Sequence, residues 1–254
     1  MIWIILVIVG ILVLILSGCK SNPDPHFHRW QLVDKTTERW KNYCDYMKRI
    51  TSDALLAAEL QKEVLVNGVW KKFYKWVSDW DLFNKLDYWD LPDEVWFRGL
   101  CDCDGFARFV CDVIGRFIML IQKSITGVWW LEYYGFYRKY SSNGEYKIIA
   151  GGHAICVYRK NGELFAFSNT SWWNHYNFKD FIEIGEMTFP EGIYWVICRQ
   201  WEDGKMEWQM KAEPGEIMEG TNIFHRRLKI IKNLKHLKKG EKKKIIKQLE
   251  KGKC

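Results

Sequence analysis

The stretch Tyr88-Trp-Asp-Leu-Pro-Asp-Glu-Val-Trp-Phe-Arg-Gly-Leu-Cys-Asp-Cys-Asp-Gly-Phe-Ala-Arg-Phe109 decides how this chain is read. Polar loop residues give way within it to apolar residues at helical spacing: Phe106, Val110, Val113, Ile114 and Phe117. Asp102 or Asp104 is expected to cap that helix through its carboxylate. Leu91-Pro92 predicts an extended residue followed by a new turn or helix. Cys103 falls where the helix should begin, so unpaired helix N–H groups would point at its sulfur. Cys101 lies two residues earlier, outside the expected first turn, and Cys103 is the preferred nucleophile.

A free thiol titrates near pH 8.5 and is mostly protonated at neutral pH, so a cysteine nucleophile needs a base. His153, in Gly-Gly-His-Ala at the head of a strand-like run, is the candidate. Asp102 and Asp104 oppose a nearby thiolate by charge. Cys-Asp-Cys also lacks the C-x₂₋₄-C spacing of structural zinc sites, and no metal or cofactor is expected. His26 and His28 fall in a polar tether, and His225 and His236 in a basic tail. His175, in Trp-Trp-Asn-His-Tyr, is expected in a packed surface loop. Trp96 is expected to pack.

Upstream, Trp30 to Val66 has spaced apolar and alanine residues that predict helix, broken at Asn67-Gly68. Val69 to Trp80 is expected to be a further short helix. After the cysteine helix the composition turns aromatic. Val128–Tyr140, Glu145–Ala150, His153–Arg159 and Glu163–Phe167 are expected as strands, with a tight Asn161-Gly162 hairpin. Ile193–Gln200 and Lys205–Met210 form a last expected hairpin around Asp203-Gly204. Helices first and a mostly antiparallel sheet second define an α+β fold.

The chain has 254 residues, 48% of them hydrophobic and 16% aromatic, including 15 Trp. That excludes a disordered chain and allows one substantial core. Net charge is +7, but His225 to Cys254 alone carries +11, with 13 Lys or Arg against two Glu. The body is therefore mildly acidic and the tail strongly basic. Ile230, Leu234 and Leu237, then Ile245, Ile246 and Leu249, give the tail an amphipathic helical pattern. It reads as a solvated appendage or a lipid-binding one, while nucleic acid is disfavoured by the few aromatics and absent zinc-finger spacing.

Met1 to Ser17 is almost wholly apolar, and as a helix would span roughly 25 Å. Leu16-Ser17-Gly18-Cys19 resembles a lipobox, which implies a lipoprotein signal with Cys19 lipidated. An uncleaved membrane anchor and a buried core segment are the other readings. The expected organisation is signal or anchor 1–19, tether 20–29, a folded body 30–222 and basic tail 223–254. Localisation is then membrane-associated, preferably extracytoplasmic. Eight cysteines are too few for a disulfide scaffold of this length. Cys44, Cys111, Cys156 and Cys198 are expected as buried thiols, with one disulfide admissible outside the cytoplasm.

Tyr88-Trp-Asp-Leu-Pro-Asp-Glu94, Gly99 and Asp102-Cys-Asp-Gly-Phe-Ala107, followed by His153-Ala154, resemble the bacterial transglutaminase-like cysteine proteinases. The resemblance covers about Tyr88 to Thr170. It implies a papain-like core, with the cysteine on a helix packed against an antiparallel sheet holding the histidine. It also implies an acyl-enzyme route on peptide or side-chain amides, with hydrolysis favoured over transamidation. The family's third member is an Asp ending the next strand. Here that place falls on Ser168 or, shifted by one, Asn169, and Asn169 is preferred because its carbonyl can accept the imidazole N–H. Trp89 is the oxyanion-hole candidate beside the Cys103 N–H. Gly105 stands where the family often has Asp, so a catalytically inactive binding protein on this fold is the alternative. No oligomer is expected.

Overall fold

The computed structural model describes residues 34–84, 88, 90–202, 205–212, 217–218 and 221–222. The elements considered below lie within the unit Thr36–Cys254. Cys19, Trp89, His26, His28, the tether 20–29 and the basic tail 223–254 fall outside the described residues.

Two capped helices open the body. The Thr37 hydroxyl accepts from the Trp40 N–H at the start of α1, Glu38–Met47, and Ser52 caps α2, Asp53–Leu60, by accepting from the Leu55 N–H. The expected helix over Val69–Trp80 is not formed. Asn67 and Gly68 both take positive φ, 51° and 78°, and join β1, Glu63–Val66, to β2, Val69–Lys72. Asn-Gly is the preferred two-residue hairpin turn, and the β-branched residues flanking it favour extended backbone over helix. The short β3, Lys75–Trp76, follows, then α3, Asp79–Phe83, and α4, Pro92–Arg98.

Helix α4 begins with Pro92 at a position where its missing N–H costs nothing, and Glu94 accepts from the Leu91 N–H at 2.9 Å. It stops at Gly99, in the left-handed region with φ 69°. The chain then pairs β4, Leu100–Cys101, in parallel with β3 and enters α5, Cys103–Val113. A π-helical segment, Ile114–Ile118, continues α5 into the single turn α6, Met119–Ile121.

The sheet is antiparallel throughout, with strand order β10-β9-β5-β6-β7-β8. Its strands are β5 Ile125–Tyr140, β6 Tyr146–Lys160, β7 Glu163–Ser168, β8 Ser171–Phe178, β9 Gly192–Glu202 and β10 Lys205–Ala212. Two further short strands, β11 Ile217–Met218 and β12 Thr221–Asn222, pair with each other. The α+β architecture, with helices first and a mostly antiparallel sheet after, is what the pattern predicts. Two expected strands, Glu145–Ala150 and His153–Arg159, are one. Gly151 and Gly152 do not break it, because they pair with Gly135 and Tyr134 on β5. Side chains would crowd there: a Cβ on Gly151 would lie 3.0 Å from the Tyr137 ring, and one on Gly152 3.1 Å from the Tyr134 ring. His153 therefore sits mid-strand rather than at a strand head.

Alternation along the strands gives the sheet two different apolar faces. Leu131, Tyr133, Ile155, Val157 and Ala166 pack with Phe181 and Ile184 of α7, Phe181–Thr188. Trp130, Cys156 and Phe167, paired across β5, β6 and β7, form the other face, where the Cys111 thiol of α5 interacts with that of Cys156. The helical layer is tied in by buried polar contacts. Tyr43 donates to Asp112 at 2.6 Å, and Tyr158 and Lys160 of β6 donate to Asp53 of α2 at 3.0 and 2.8 Å. Trp96 packs against Tyr43 and Tyr46, as expected of an aromatic spacer. The six described cysteines are all free thiols; Cys101, Cys111, Cys156 and Cys198 are buried and Cys44 is half-buried. The disulfide admitted from sequence is absent among them.

Candidate functional site

Cys103 is the first helical residue of α5. Asp102 supplies the cap, its carboxylate accepting from the N–H groups of Asp104 at 3.2 Å and Gly105 at 3.5 Å. Of the two aspartates weighed as caps, the structure uses Asp102. Gly105 has a packing reason: a Cβ there would come within 2.9 Å of the Cys101 Cβ and 3.3 Å of the Asp90 Cβ. The Cβ of an Asp at 105 would be crowded by the same contacts. Gly105→Val should lower unfolding free energy by about 2 kcal/mol, the usual scale of overpacking, read as a drop in the urea midpoint at unchanged slope.

The segment preceding the helix is held rigidly. The Asp90 carboxylate is buried and paired with Arg98, and its main-chain carbonyl accepts from Arg108 of α5 at 3.0 Å. Burial outweighs the Arg98 attraction and pushes the Asp90 carboxyl up to about 7. Asp93 binds Arg39 of α1 at 2.6 Å. Cys101 is fully buried on β4, and burial, reinforced by Asp90 and Asp102, pushes its thiol well above the usual range. Cys103 is the more accessible of the two, being half-buried.

Helix α5 brings the Cys103 sulfur to the sheet at β6. The Ala154 N–H and the N–H of Cys103 itself both interact with it. The sulfur thus meets the peptide that follows His153. Alternation turns Ala154 toward α5 and sends the His153 ring to the side of its cross-strand partner Tyr133. The sulfur and the His153 ring therefore leave β6 on opposite sides of the sheet, and the electrostatics of each carry no contribution from the other.

His153 Nε2 lies 2.8 Å from the Ser168 Oγ. Ser168 ends β7, on the same side of the sheet as Ala166. Asn169, the preferred third member from sequence, is not brought to the imidazole. It sits in the two-residue turn between Ser168 and Ser171 with φ 50°, and its Oδ1 is buried without a hydrogen-bond partner. The one-residue shift that would favour Asn169 requires a bulge at the end of β7; the register irregularity with β8 falls earlier, between Leu164 and Ala166, and from Ala166 to Ser168 the pairing is regular up to the turn. Gln61 at the end of α2 pins that turn by donating to the Thr170 carbonyl at 2.6 Å. His175 is exposed on the edge strand β8, not in a surface loop. Trp172 packs 5.8 Å from Phe167 in near-parallel stacking and donates to Tyr158 at 3.0 Å.

Electrostatics keep the protons where a resting thiol needs them. Burial, then Asp102 and more weakly Glu132, push the Cys103 thiol up to about 12 against the pull of the two N–H groups. Burial alone pushes His153 down to about 4. At neutral pH Cys103 is a thiol and His153 a neutral imidazole. Glu132 reaches this site because it pairs with Ala154 across β5 and β6, and Tyr134 donates to it. Its involvement has no signal in the sequence, since only strand register sets it opposite Ala154. The Asp102, Cys103 and Asp104 ligand atoms lie within 4.8 Å of one another, but Asp102 is committed to the helix cap.

No protein-family model matches the chain. No curated protein sequence matches it either.

Proposed function

We propose that this chain is a membrane-associated thiol hydrolase on a papain-like, transglutaminase-like core, cleaving peptide or side-chain amides through Cys103 and His153. One observation carries the reading: a helix N-terminal cysteine whose sulfur meets the N–H of Ala154, the strand residue that follows a histidine bonded through Nε2 to Ser168. With the imidazole proton on Nε2 and donated to Ser168, Nδ1 keeps the lone pair that a general base needs. Catalysis requires the His153 ring to reach the Cys103 sulfur from the other side of β6; the Cys103 proton then passes to His153 as the sulfur bonds to the amide carbon. The tetrahedral oxyanion is met by the Cys103 N–H. Imidazolium then protonates the leaving amine as the C–N bond breaks, and water releases the acyl group from sulfur. An amine in place of water gives transamidation by the same acyl-enzyme. The resemblance of Tyr88–Ala107 and His153-Ala154 to the bacterial proteinases favours water.

A second reading, an inactive binding protein on the same core, is favoured by a specific observation. Ser168 is neutral, and it stands where the resembled family places a carboxylate that stabilises imidazolium. The membrane association rests on the apolar run Met1–Ser17 and the lipobox-like Leu-Ser-Gly-Cys19. Among the described residues no helix is long and apolar enough to cross a membrane.

Alkylation with iodoacetamide, mapped by peptide mass spectrometry, tests the site. Cys103 should react faster than the buried Cys101, Cys111, Cys156 and Cys198, and its adduct should vanish in Cys103→Ala. Its rate should fall in His153→Ala and, in the wild type, climb through pH 9 and beyond, because the raised thiol pKa keeps the proton on sulfur. Equal rates with and without His153 refute the dyad. A rate already level at pH 6 refutes the resting thiol.

A further inference from the structure

The geometry points to the β1–β2 hairpin as a lipid-contacting element that enters the interfacial layer of an anionic membrane. Its tip is apolar and open to solvent: Leu65, Val66, Val69 and Trp70 are 58, 39, 57 and 65% exposed. Leu65 pairs with Trp70 and Val66 with Val69. Alternation sends the first pair to one face of the hairpin and the second to the other. Both faces of the tip are therefore apolar. A folded protein partner covers one face of a hairpin and leaves the other in water, whereas a lipid interface surrounds the whole tip.

The flanking chemistry fits the same occupant. Tryptophan favours the headgroup level, where its ring is buried and its N–H stays wet. Lys71, Lys72 and Lys75 follow the tip and are exposed. Glu63, opposite Lys72, is the single acidic residue of the two strands. That excess of positive charge complements anionic headgroups. Insertion is shallow, on the order of 5–10 Å as for other interfacial elements. The layer still holds water at that depth, so the Asn67–Gly68 peptide groups remain solvated. The proximity of a bilayer rests on the membrane-associated reading proposed above, and the two are separable by experiment.

The full chain is reconstituted with phosphatidylcholine vesicles containing 30% phosphatidylglycerol (roughly the charge of an anionic leaflet) and a trace of diazirine-bearing phospholipid. After irradiation, lipid adducts are mapped by peptide. Adducts on the 63–72 peptide are expected, falling at least about fivefold in Leu65→Ser/Trp70→Ser. A comparable fall is expected in Lys71→Glu/Lys72→Glu or in vesicles of phosphatidylcholine alone. All four positions are solvent-facing, and a thermal melt checks that both variants fold. Adducts on the 1–19 peptide report membrane attachment separately. If that peptide is labelled while 63–72 is not, the hairpin proposal fails and the membrane reading stands. If neither is labelled, both fail. Hairpin labelling indifferent to these substitutions and to lipid charge also overturns the proposal, as does protection of the hairpin by a second copy or another protein.

Discussion

Replacing His153 by alanine is expected to lower turnover of any amide the wild type cleaves by about 10²–10⁴-fold, the usual contribution of a positioned acid–base group. The dependence should be near the upper end, because the pull of the Ala154 and Cys103 N–H groups does not overcome burial and the neighbouring carboxylates. Burial holds Cys103 up at about 12, and the nearest charges, Asp102 and Glu132, are both negative. In cysteine enzymes with a pre-formed thiolate, losing the histidine still leaves a nucleophile. Here it leaves a protonated sulfur against the Ala154 N–H. The measurement is kcat on a fluorogenic amide selected with wild-type protein, beside Cys103→Ala as the zero. His153→Ala activity within about threefold of wild type would remove the histidine from the mechanism, since that is far below the general-base scale.

The second large effect runs in the opposite direction. Ser168→Asp is expected to raise kcat by about tenfold to a hundredfold, because an ionised carboxylate at that position lowers the cost of imidazolium. Ser168 already lies 2.8 Å from Nε2, and its place at the end of β7 aims the side chain at the ring. The raised imidazole pKa has a readable signature. His153 is held down to about 4 by burial, and an adjacent anion moves it back up toward its ordinary value near 6.5. The acid limb of the pH–rate profile should therefore move to higher pH. Ser168→Asn, isosteric but neutral, should reproduce neither change. Unaltered rate and profile in Ser168→Asp would show that the serine contact does not act on catalysis.

These expectations depend on features that were unequally legible from sequence. The cysteine helix was readable because an aspartate cap and an amphipathic repeat are local signals, and Asp102 meets its helix N–H groups as such residues do. The hairpin at Asn161-Gly162 was readable from its turn residues, and the pairing of β9 with β10 from the two strand-like runs. The Asn67-Gly68 hairpin carried the same signal, but the aromatic spacing of Trp70, Phe73, Tyr74 and Val77 mimics a helical face. In the structure Tyr74 is buried against Phe109 while Trp70 is exposed, so the spacing did not mark one buried face. Strand β8 was missed because its polar Asn174 and His175 interrupt the aromatics. Choosing Ser168 over Asn169 required knowing where β7 ends. Alternation then decides the matter, since the left-handed Asn169 has already left the strand. Glu132 was not legible at all, because register across a 16-residue strand is a tertiary property.

The strand order carries a kinetic consequence. Strands β5 to β8 follow one another in sequence and in space, whereas β9 returns past β8 and α7 to pair with the far edge of β5. Every residue of the proposed dyad and its serine partner precedes Ser171. A ribosome moving from the N-terminus therefore delivers the meander and the site before it delivers the strand that covers β5. Until β9 arrives, a long row of unpaired peptide groups on β5 is open to any extended neighbour, including another nascent copy. Long-range closure of this kind is slow relative to hairpin formation. The interval between emergence of Ser168 and docking of β9 is thus when the chain is most exposed to misassembly, and when a chaperone that masks strand edges would raise its yield most.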